Sequence, residues 1–62
     1  MTLEELKKEA KKLISGFPHL EKQVSELYYL AQNEIEQGES EHHECELAYN
    51  NMMYLLIEEK ED

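Results

Sequence analysis

Residues 27–57 read LYYLAQNEIEQGESEHHECELAYNNMMYLLI, two helical patterns broken once, at Gly38-Glu39-Ser40. Before the break, Leu20, Val24, Leu27, Ala31 and Ile35 recur at spacings of three and four. That spacing lines up one face of a helix of 3.6 residues per turn. Tyr28 and Leu30 lie at the edges of this stripe and Tyr29 lies opposite. After the break, Cys45, Ala48, Tyr49, Met52, Leu55 and Leu56 form a second stripe. Ser40 suits an N-cap, and Glu41 and Glu44 sit where the positive end of a helix favours anions. The pattern predicts helices over about 18–37 and about 41–59. The short connection makes them antiparallel neighbours, a helical hairpin. Residues whose numbers sum to about 76–77 should then meet, pairing Ala31 with Cys45, Val24 with Met52 and Leu20 with Leu56.

Upstream, Thr2 and Glu5 fit a capping box, T-x-x-E. Leu3, Leu6, Ala10, Leu13, Ile14 and Phe17 follow on one arc, so a short amphipathic helix is expected over about 3–15. Lys7, Lys8, Lys11 and Lys12 occupy its other side, with Glu4 and Lys8 placed for an i,i+4 ion pair. Ser15-Gly16-Phe17-Pro18 ends it. Gly16 suits a left-handed C-terminal cap, and Pro18 suits the first turn of the next helix. The fold expected is all-α, one small domain over 1–62, with an acidic tail over 60–62 that frays.

The third helix carries Met52-Met53-Tyr54-Leu55-Leu56-Ile57, six apolar residues in a row. Such a run covers the whole circumference of a helix, and one neighbour cannot hide it all. Exposed apolar patches of this kind mark interfaces. A core from fewer than roughly 70–80 residues seldom supplies more than ~3–5 kcal/mol. Burying ~600 Å² of apolar surface would add on the order of 15 kcal/mol before ordering costs. The reading is a homo-oligomer, most simply a dimer in which two hairpins make a four-helix core. Leu30, Met52, Met53, Leu56 and Ile57 are its expected interface. For a different protein partner, Tyr29, Asn50, Asn51 and Tyr54 are the residues of choice, because tyrosine brings large contact area with few rotors.

Composition narrows the function classes. The 62 residues carry 15 acidic side chains against 6 lysines and no arginine, a net charge of −9. Residues 1–19 sum to +1 and residues 20–62 to −10. Direct nucleic-acid binding needs a basic surface, which this is not. No apolar run approaches the ~20 residues of a membrane span. A single cysteine, Cys45, and the lack of a signal-peptide pattern give the expectation of a reducing, cytoplasmic location.

One cluster, Glu39-Ser40-Glu41-His42-His43-Glu44-Cys45-Glu46, resembles a site. His42, Cys45 and Glu46 share a helix face and are weak metal candidates, and Glu39-x-x-His42 is similar to half of a carboxylate di-iron motif. The alternative is a polar first turn with Cys45 facing inward as a small hydrophobe. No cofactor and no catalytic residue are assigned, since a nucleophile needs an oriented base and an oxyanion site.

The expectation is therefore a non-enzymatic, acidic helical interaction protein. It would self-associate and regulate a basic protein, for instance by imitating DNA phosphates toward a nucleic-acid-binding protein. The alternatives are sequestration of an anionic small ligand by Lys7, Lys8, Lys11 and Lys12, and a purely structural assembly module. The overall profile resembles the short acidic helical proteins encoded by bacteria and their phages. That resemblance rests on no motif and assigns no residue roles.

Overall fold

The computed structural model describes residues 1–60. Its described residues are helical almost throughout, with no strand. Helix α1 spans Leu3–Gly16, a 3-10 turn spans Pro18–Leu20, α2 spans Glu21–Glu36 and α3 spans Glu41–Lys60. The three helices pack on one another into a body 38 × 19 × 17 Å, with the largest shared contact between α2 and α3.

The capping box forms as its sequence requires. The Glu5 N–H donates to the Thr2 hydroxyl at 3.2 Å, and the Thr2 N–H donates to the Glu5 carboxylate at 3.0 Å. Two orphan donors of the first turn are satisfied reciprocally. The end of α1 differs from expectation. Gly16 is helical, and the chain leaves the helix at Phe17, with φ −135°, whose N–H still donates to the Leu13 carbonyl. The left-handed glycine is Gly38 instead, at φ 105°, between α2 and α3.

Pro18 opens not an α-helical turn but a tighter one, in which the Leu20 N–H donates to the Phe17 carbonyl at 2.9 Å. The second helix therefore starts at Glu21 rather than about 18. Ser40 receives the His43 N–H on its hydroxyl at 3.4 Å, and α3 begins at Glu41 as its N-cap predicts. At the other end α3 reaches Lys60, and residues 61 and 62 of the expected tail lie outside the described residues.

The core contains Leu6 and Ala10 from α1, Leu20, Val24 and Ala31 from the middle of the chain, and Cys45, Ala48 and Met52 from α3. Six of these eight belong to the two stripes that flank the Gly38 break. Three alanines and a cysteine let the helix axes approach closely, since axial separation follows the side chains at the contact. Leu6, Val24 and Met52 fill the remaining volume and are fully buried. Leu27, Tyr28, Ile35, Tyr49, Leu55 and Leu56 pack around them half-buried.

Candidate functional site

Helices α2 and α3 bound a shallow groove on a side that α1 does not reach. One end is lined by Leu27, Leu30 and Leu47, over a floor of Ala31 and Ala48, with Glu34 and Glu44 at its edges; its volume is about 290 Å³. The other end continues over Leu27, Leu30, Tyr54 and Leu55 to Glu26 and Glu58, with about 350 Å³. Asn51 lies in both halves, at the middle. The walls are apolar, each half carries one glutamate from each helix, and Gln23 also lines the second half. Among the described residues no lysine lines either half.

This face holds most of the large apolar side chains left to solvent. Leu30 is 60% exposed, Leu47 46% and Tyr54 63%. Leu47 and Tyr54 are seven residues apart on α3, two turns along one face. Tyr29, also exposed, stands edge-on against the half-buried Tyr28 with ring centroids 5.6 Å apart, on the side of α2 nearer α1. Nothing in the fold needs these residues outside; they are apolar area that the chain leaves uncovered.

The interface expected from sequence divides accordingly. Met52 is fully buried inside the single chain, so it is core and not intersubunit surface. Met53 and Leu56 pack half-buried against the same core. The chain's own core covers more of α3 than the unbroken apolar run suggested. Leu30 and Ile57 remain exposed, and Leu30 lines the groove whereas Ile57 does not. Ile57 is ten residues beyond Leu47, about 80° around the helix from it, and lies outside the groove lining. Of the partner-binding residues expected, Tyr54 and Asn51 line the groove, whereas Tyr29 and Asn50 lie beside it and are exposed. Leu47 was missed. It falls off the inward stripe and sits between Glu46 and Ala48, so only its two-turn spacing to Tyr54 could have marked it.

The polar cluster at the start of α3 does not gather into a ligand set. Among the described residues no group of three His, Cys, Asp or Glu side chains is placed to hold a metal ion. Cys45 faces the core, and burial, followed by the nearby Glu41 and Glu46 carboxylates, pushes its thiol up from the ordinary value. A thiol so placed stays protonated and unreactive at neutral pH. His42 and Glu46 turn to the start of the chain instead: the Met1 ammonium donates to His42 Nδ1 at 2.9 Å and lies 3.9 Å from Glu46. Glu41 accepts the Leu3 N–H at 2.9 Å. These groups fasten α1 to α3.

Lys7, Lys8 and Lys11 line a surface dent together with Glu4, whose carboxylate opposes an incoming anion. Lys12 lies 3.6 Å from Glu9. The Glu4–Lys8 pair expected from spacing does not form; on an exposed helix either choice is worth only tenths of a kcal/mol. His19 Nε2 donates to Glu59 at 2.7 Å, an exposed contact away from the groove.

Comparison with protein-family models, with curated proteins and with solved structures finds no match for this chain. Among the described residues no helix is long and apolar enough to cross a membrane.

Proposed function

We propose that the chain is a non-enzymatic interaction protein that binds, and through binding regulates, a basic protein partner on the exposed α2–α3 face. One observation carries the reading: an apolar groove whose charged edges, among the described residues, are all glutamates, Glu26, Glu34, Glu44 and Glu58. Apolar walls supply affinity, and the fourfold negative edge selects the sign of the partner and speeds encounter. The −10 carried by residues 20–62 extends that field over both helices.

A second reading is self-association through the same face. It is supported by the one-sided cover that α1 gives the α2–α3 pair. Two copies taken as antiparallel hairpins and stacked on their bare faces would form a four-helix core with α1 outside. The two readings respond oppositely to salt. Stacking two copies brings eight rim carboxylates together, so screening tightens it. A basic partner is held by attraction, so screening loosens it.

The test uses sedimentation equilibrium and affinity capture, each at low and high salt, on the wild-type chain and on Leu30→Lys/Leu47→Lys. A basic partner appears as captured basic proteins lost both at high salt and in the variant. Self-association appears as a species above 7.4 kDa that grows with salt and disappears in the variant. A monomer that captures the same proteins as its variant overturns both readings.

A further inference from the structure

The groove also constrains the shape of what occupies it, and this inference rests on the interaction reading above. We infer that the occupant is an amphipathic helix of a partner protein, about 14 residues long, with lysine or arginine on both flanks of its apolar stripe.

Length comes from the lining. On α3 the groove runs from Glu44 to Glu58, fourteen residues on, which is about 21 Å of helix. A segment of about 14 helical residues spans it.

Secondary structure comes from backbone chemistry. The groove is walled by two helices, whose mid-helix N–H and C=O groups are already paired internally. An extended peptide laid on this surface would find no sheet edge for its own backbone, and its amides would face leucine and tyrosine unpaired. A helix satisfies its backbone internally and offers apolar side chains at i, i+3, i+4 and i+7, the usual manner of helix-in-groove recognition. Seated there it becomes a fourth helix beside α1, α2 and α3.

Charge comes from the rim. Glu34 and Glu44 flank one end; in the other half Glu26 lies on the α2 wall, about 12 Å along from Glu34, with Gln23 beyond it, and Glu58 lies at the far end of the α3 wall. A seated helix therefore meets carboxylates from both walls, staggered along its length, which fits basic residues on both flanks. A second copy of this chain would bring glutamates to the same four places, so the rim disfavours it. Asn51, central among apolar walls, favours one polar residue midway along the partner's stripe.

Fluorescence anisotropy tests this with three labelled synthetic peptides of about 14 residues. The first has a leucine stripe flanked by lysines, the second the same stripe flanked by glutamates, and the third the first peptide's composition with the leucines scattered around the helix. The lysine-flanked peptide should bind at least about tenfold more tightly than either control, which is about 1.4 kcal/mol, and weaken as salt rises. Glu34→Lys/Glu44→Lys takes the four-glutamate rim from −4 to neutral and should abolish the preference between the first two peptides. Circular dichroism of each variant verifies its helical fold. Equal binding of the lysine and glutamate peptides, equal binding of the scattered peptide, or no binding overturns the inference. If no peptide binds yet Leu30→Lys/Leu47→Lys changes the sedimentation behaviour, the face is an interface between copies and only the helical-partner inference falls. If neither measurement responds, the interaction reading falls as well.

Discussion

Helices α1 and α3 lie against one another in the same small body, yet they are built on opposite plans. Helix α1 spends a single apolar face on the core. Its apolar residues occupy one arc, Leu6 and Ala10 are buried, and its four lysines are exposed. Helix α3 is apolar nearly all round in its second half. It buries Met52 inward, half-covers Met53 and Leu56, and still leaves Tyr54 and Ile57 more than half exposed. The difference separates what folding requires from what it does not. Everything apolar on α1 is accounted for by the chain's own core, whereas α3 and its neighbour α2 carry a surplus, and the surplus lines a groove with acidic edges.

The largest test of that contrast is to truncate one inward side chain on each helix and compare with an outward one. Leu6→Ala and Met52→Ala both empty fully buried positions and should each cost about 2–5 kcal/mol. That is comparable to the ~3–5 kcal/mol a core of this size is expected to hold, so urea unfolding should find either variant with most of its stability lost. Leu47→Ala, on the exposed side of the same α3, should change stability by no more than about 0.5 kcal/mol. A loss at Leu47 comparable to that at Met52 would mean that the groove residues serve folding and not binding.

The turn between α2 and α3 gives a smaller, conformational test. Gly38 has φ 105°, and a Cβ added there meets nothing within 4 Å. Gly38→Ala therefore pays only for a left-handed backbone, about 1–2 kcal/mol. An unchanged denaturation midpoint would show that the α2–α3 connection adapts freely.

These same positions show how far the sequence could be read. The stripes that flank Gly38, the capping box at Thr2 and the N-cap at Ser40 were all legible, because periodicity and local capping act within a few residues. Two things were not. Periodicity puts Met52 on the inward stripe, but Met53 and Tyr54 follow it in an unbroken apolar run, and only the packing of the other elements around α3 decides that Met53 is half covered and Tyr54 is not. Leu47 has no apolar neighbour beyond Ala48, and its membership of a groove with Leu30 arises only when α2 and α3 come together. Core positions follow from one helix at a time, whereas the outer face depends on which sides the others leave bare.

The start of α1 can be weakened without touching either face. Thr2→Ala removes the hydroxyl that receives the Glu5 N–H and should cost about 1 kcal/mol. The box has a pH signature as well. The hydrogen bond from the Thr2 backbone, then that from its side chain, hold the Glu5 carboxyl below its ordinary 4.5. A depressed carboxyl stabilises the fold above that value and loses its contribution as pH falls below it. Glu5→Gln should flatten the acid limb of the stability profile between pH 4.5 and the lowered folded value by lowering the neutral plateau toward the acid level. An acid limb identical to wild type would show that the charge of Glu5 is not what the cap uses.

The smallest expected effect has the opposite sign and bears on where α1 ends. A glycine before Phe17-Pro18 reads as a left-handed cap, in which case alanine there would be strained. The backbone instead keeps Gly16 helical, with negative φ and nothing within 4 Å of an added Cβ. Alanine at such a place has no steric cost in the folded chain, and it restricts the unfolded one. Gly16→Ala should therefore stabilise by about 0.4–1 kcal/mol. Chemical denaturation of Gly16→Ala beside Gly38→Ala reads both signs in one experiment. If both variants lose stability, Gly16 is needed for the exit from α1, and α1 is less self-contained than its single stripe implies. If Gly16→Ala gains while Gly38→Ala loses, the helix is closed by its backbone contact to Leu13, and the conformational demand of the chain sits at the turn that brings the two groove helices together.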